Sequence, residues 1–269
     1  LTGVPQSFAV EATVILICVL IFAASSFIGL EKGFKRMADA NTWIALGLLG
    51  FVVAVGPTLF ILQMGTNSLG LMLQEFVRMV TWTDPVERKG FVESWTVFYW
   101  AWWVAYGPFV ALFATRISRG RTLRELIFGL ITFGTLGAGI FYIVLGNYAM
   151  NLELTGVLEV TRLVKERSGA VALAEVFGTL PYPTLVILGF LVVAAILMAT
   201  TYDSASYTLA SVSSRDIHAG QDPARWNRVF WAFAIGVPPV ALLFVKGGIT
   251  VVQSATIIVS LPLLAVGVL

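Results

Sequence analysis

Seven apolar runs limit what this chain can become. Residues 10–30, 43–64, 92–115, 125–147, 183–205, 229–245 and 250–269 carry almost no charge, and each is near the roughly 20 residues that a helix needs to cross a hydrocarbon core. In such a solvent every peptide N–H and C=O has to be satisfied by protein, which leaves helices and closed barrels as spanning structures. Barrel strands would be about half as long and would alternate in polarity, and these runs do not. The expectation is an all-α polytopic membrane protein with about seven transmembrane helices. The composition agrees: 58% of residues are hydrophobic and 12% charged, against about a quarter charged in soluble domains.

The connections between the runs carry the orientation. Those at 31–39, 116–125 and 213–228 hold ten Lys and Arg with five Asp and Glu, whereas the alternating set at 63–93, 147–183 and near Lys246 holds seven and eight. Positive-inside bias assigns the first set to the cytoplasm and runs the first span from outside to inside. Residue 1 is Leu, and no basic segment with a cleavage site precedes the first run, so no secretory signal is read. Both ends read as those of a piece of a longer protein. Two outer connections are longer than a turn needs. Leu69, Leu73, Phe76 and Val80 recur at helical spacing within 67–82, which suggests an interfacial helix. Residues 156–177 show a weaker form of the pattern, and a helix packed on neighbouring spans explains either connection equally well.

Several function classes are excluded by what the sequence lacks. The net charge of +2 implies no nucleic-acid partner. Cys18 is alone in an apolar run and His218 alone in a polar loop, so neither a disulfide framework nor a transition-metal cluster is available. No Walker loop, zinc-type spacing or nucleophile elbow appears. The chain is not read as an enzyme, and no cofactor is expected.

Aromatic residues crowd the third run, where residues 94–109 read SWTVFYWAWWVAYGPF. Tyr99, Trp102, Trp103, Tyr106 and Val110 recur at three- and four-residue spacing and share one helix face. Trp95 and Trp100 lie near the outer end and fit a tryptophan belt. Trp102, Trp103 and Tyr106 sit deeper, where a ring cage for a cation is the better explanation. The fifth run ends in Ala-Thr-Thr-Tyr-Asp-Ser at 199–204. Thr200, Thr201 and Ser204 offer the hard oxygen atoms that a small cation prefers, although hydroxyls in membrane helices also bond back to their own backbone. Asp203 adds an ionisable group at a depth where it has to be paired, hydrated or functional. Gly56–Pro57, Gly107–Pro108 and Pro238–Pro239 fall inside apolar runs, where each proline removes an amide donor. Pro108 is expected to leave the Val104 carbonyl short of its usual partner.

Ser94 to Trp103, followed by Pro108-Phe109 and by Arg116-Ile-Ser-Arg-Gly-Arg-Thr122, closely resembles the signature of the betaine/carnitine/choline transporter (BCCT) family. Gly29-Leu-Glu-Lys-Gly33, Gly56-Pro-Thr58, the threonine pair with Asp203, and Gly247-Gly248 with Gln253 look like further landmarks in order. The resemblance implies a LeuT-type inverted-repeat fold of twelve spans, with this chain holding the equivalents of spans 6 to 12. Residues 1–91 would end the first repeat with two spans and the interfacial helix, and residues 92–269 would form the five-span second repeat.

By the same resemblance, Trp102, Trp103 and Tyr106 would face a small quaternary-ammonium substrate. Phe109 would border one sodium site, and Thr200 and Thr201 would supply hydroxyls to another, with Tyr99, Asp203, Ser204 and Val110 in support. The implied function is import of a betaine-type osmolyte or nutrient by sodium symport across the plasma membrane, in bacteria the inner membrane. Sodium-independent exchangers of the family carry methionine at the Val110 position and lack the paired hydroxyls, which favours symport. Tyr106 resembles those exchangers, so carnitine-type exchange is an alternative, and a non-transporting ligand sensor is a second. Homotrimers are usual in the family, and membrane lipid is the remaining expected partner.

Overall fold

A computed structural model of the chain describes residues 8–28, 35–118, 120–215, 221–242 and 248–268. Twelve α-helices and two π-helical turns are formed among them. They are α1 Phe8–Ile28, α2 Lys35–Val55, α3 Thr58–Gln74, α4 Phe76–Val80, a π turn Val92–Val97 leading into α5 Phe98–Ile117, and α6 Leu123–Phe141. A second π turn, Tyr142–Gly146, joins α6 to α7 Asn147–Leu154. Then come α8 Val160–Glu166, α9 Gly169–Gly178, α10 Pro183–Val212, α11 Arg225–Leu242 and α12 Gly248–Val268. The stretches Lys35–Val55, Val92–Thr115, Leu123–Leu154 and Pro183–Val212 are long and apolar enough to cross a membrane, and Ala12–Ile21, Gly169–Gly178 and Val251–Gly267 are shorter apolar helices. Helix α6 shows what solvent these surfaces fit. None of its described residues is buried, and Phe128, Ile131 and Phe133 are all exposed. A helix that is apolar all round and unburied by protein belongs in lipid.

The run at 43–64 differs from the single span expected. It contains two helices, because Pro57 has no amide to give to the Val53 carbonyl. The Thr58 hydroxyl donates to that carbonyl instead, and α3 starts afresh at Thr58. In α5, α11 and α12 the helix continues through Pro108, Pro238–Pro239 and Pro262. The separate interfacial helix expected over 67–82 is also redrawn. Residues 67–74 prolong α3, and after Glu75 only the short α4 remains. The second long connection forms α8 and α9, and Ala172, Val176 and Phe177 of α9 are buried, so α9 packs on neighbours.

Contacts divide the chain into two units. The first takes 36–76 and 121–197. Its core joins Leu49 and Val52 of α2, Ile61 of α3, Val144 of the second π turn, Tyr148 and Leu152 of α7, Val176 and Phe177 of α9, and Val186 of α10. The Asn147 Nδ2 donates to the Ile61 carbonyl at 3.4 Å, and the Tyr148 and Thr179 hydroxyls bond at 2.7 Å. Gly65 permits α3 to lie against the second π turn, since a Cβ there would stand 2.6 Å from Ile143 Cγ2.

The second unit takes the described residues among 5–35, 77–120 and 198–269. Within it α1 packs on α11 and α12 on α5. Gly236 sets the approach of α1 to α11: a Cβ there would stand 2.7 Å from Val19 Cγ2, and a β-branched valine has little rotamer freedom to move aside. Close approach of this kind is a main source of helix association in lipid. Gly236→Ala is therefore expected to destabilise the full-length protein by about 1–3 kcal/mol through overpacking. Val19→Ala should restore most of the loss, as checked by the thermal midpoints of the single and double variants in detergent.

Candidate functional site

The aromatic face forms on α5 and on the π turn before it. A π turn holds one residue more than an α turn and recurs at functional sites, and this one carries Trp95. The Trp95 ring stacks on Tyr99, with centroids 6.0 Å apart and planes at 18°. Tyr99 meets Trp102 at 6.0 Å and Phe98 meets Trp102 at 5.6 Å. One turn on, Tyr106 stacks on Phe109 at 5.6 Å and 28°. These are offset and tilted arrangements that ring quadrupoles favour. Phe98 joins the cluster although it lies outside the expected face; its position four residues before Trp102 is the signal for it.

Trp103 stands apart. Its indole is 61% exposed, and among the described residues no ring stacks on it. At 100° per residue Ala101 lies on the opposite side of α5 from Tyr99, Trp103 and Tyr106, and Ala101 is buried. The rings thus line a wall on the side away from Ala101, exposed at Trp102 and Trp103 and half-buried at Tyr106. Val110 continues that wall and is half-buried. Trp100, off the face, is 69% exposed, as a belt residue would be.

The hydroxyl cluster lies in the same unit, on the distal half of α10, which runs uninterrupted past it to Val212. Thr200 and Asp203 are buried, Thr201 is exposed and Ser204 is half-buried. The Ser204 hydroxyl donates to the Thr201 carbonyl at 2.8 Å, the Ser206 hydroxyl to the Asp203 carbonyl at 2.9 Å and the Thr208 hydroxyl to the Ser204 carbonyl at 2.8 Å. For these three the back-bonding explanation holds. Thr200, Thr201 and Asp203 have interaction partners as well.

Other residues singled out in the sequence are distributed widely. Cys18 is half-buried on α1, and Gln253 is half-buried on α12. His218, Gly247 and the Gly29–Gly33 landmark lie outside the described residues, as does Arg119 of the basic connection. That connection ends in a capping box: the Thr122 amide donates to Glu125 Oε2 at 2.8 Å and the Glu125 amide to Thr122 Oγ1 at 3.3 Å, which starts α6 firmly.

Comparison with known proteins agrees with the motifs. The model of the BCCT, betaine/carnitine/choline family transporter, matches residues 1–269. An "Uncharacterized transporter YeaV" of Escherichia coli (strain K12) is 38% identical over 266 residues, which cover 99% of this chain and 55% of that protein. A "Carnitine transporter" of Acinetobacter baumannii is 35% identical over 269 residues, 99% of this chain and 48% of that protein. The chain spans about half the length of the curated relatives it matches. With its signature, its apolar helices and this match over its whole length, the chain belongs to the BCCT family, a family of membrane transporters and not of enzymes.

Proposed function

We propose that the whole protein imports a betaine-type zwitterion by sodium symport, its quaternary ammonium held against Trp102, Trp103 and Tyr106. The observation that carries this reading is the wall of α5: three rings within about one turn of a membrane helix in a BCCT chain, with Trp103 uncovered by any other ring among the described residues. A quaternary ammonium has no N–H to donate and is bound through its diffuse charge, which ring faces attract. The wall is one side of a box. In this reading the other side comes from the part of its relatives' length that the chain does not span, within a LeuT-type fold whose second repeat starts at residue 92. Phe109 borders one sodium, Thr200 and Thr201 bind another, and Asp203, Ser204, Tyr99 and Val110 support the two sites. The assembly is a homotrimer in the plasma membrane.

Exchange of carnitine-like compounds without an ion gradient is the second reading. It is favoured by Tyr106 and by the relative named a carnitine transporter. Counterflow in sodium-free proteoliposomes separates the two: symport predicts none, and exchange predicts full activity.

Two sets of variants test the leading reading in proteoliposomes of the full-length protein. Trp103→Ala is expected to lower kcat/KM for isotope-labelled substrate about thirtyfold, the worth of one desolvated cation–π contact, whereas Trp100→Ala changes it little. Uptake indifferent to Trp103→Ala would sink the cage. Thr200→Val is expected to raise the sodium concentration for half-maximal uptake about tenfold through loss of an oxygen ligand. Ser204→Ala, which in this reading removes a supporting group and no direct ligand, is expected to have a smaller effect. Equal effects of the two variants would count against the assignment.

A further inference from the structure

We draw no further inference here: the strongest candidate, the opening of about 690 Å³ along the exposed Gln63, Asn67 and Gln74 face of α3, is walled by that one helix among the described residues, and nothing in the structure shows what covers it.

Discussion

A peptide group placed in hydrocarbon has no water to bond, and leaving it unsatisfied costs several kcal/mol. Every regular element of this chain follows from that constraint, and the irregular ones show how it is met when the helix itself fails. At Pro57 the missing donor is replaced by the Thr58 hydroxyl on the Val53 carbonyl. At the end of α10, where helix carbonyls run out of partners, the Asn227 side chain reaches back to Ala210. Two π turns insert a residue while keeping the backbone bonded, and the one before α5 brings Trp95 onto Tyr99.

Once the backbone is satisfied, lipid offers no hydrophobic drive for one helix to prefer another, so close packing and buried polar contacts decide the arrangement. Gly65 against Ile143 and Gly236 against Val19 are such packing points. The bonds from Asn147 to Ile61 and between Tyr148 and Thr179 are such polar contacts. They gather α2, α3, α7 and α9 into one core. Helix α6 has no buried side chain, and its Gly129, Gly134, Gly137 and Gly139 meet no neighbour among the described residues. The same physics explains why α5 can carry a row of large rings: its buried positions are the small Ala101 and Ala114.

Much of this is legible in apolar runs and helical spacing, and the failures have physical causes. Hydropathy reads 43–64 as one span because a proline break leaves no mark in an apolar run. Four other prolines sit inside unbroken helices, so the residue type alone does not decide the outcome. The apolar stripe Leu69–Val80 is helical as its spacing predicts, but periodicity cannot tell a new helix from the continuation of α3. Spacing does bring Tyr99 and Trp102 together, and it leaves Trp103 exposed on the same face. It does not show that Thr200 is buried and Ser204 only half-buried.

The exposure of the α5 rings has a consequence for how a cage on this helix would work. A cation–π contact is worth about 0.5–1 kcal/mol at an exposed face and about 2 kcal/mol or more once desolvated. Trp102 and Trp103 are 46% and 61% exposed, so on the proposed reading the wall by itself would hold a quaternary ammonium weakly. Covering it gains about 1 kcal/mol per ring, and two rings then change affinity by roughly thirtyfold. On the proposed reading, a second wall that closes over α5 and withdraws from it makes the difference between holding and releasing substrate, with no ring on α5 having to move. A ligand shifts a conformational equilibrium only by its difference in affinity for the two states. Rings that are strong when covered and weak when open supply that difference.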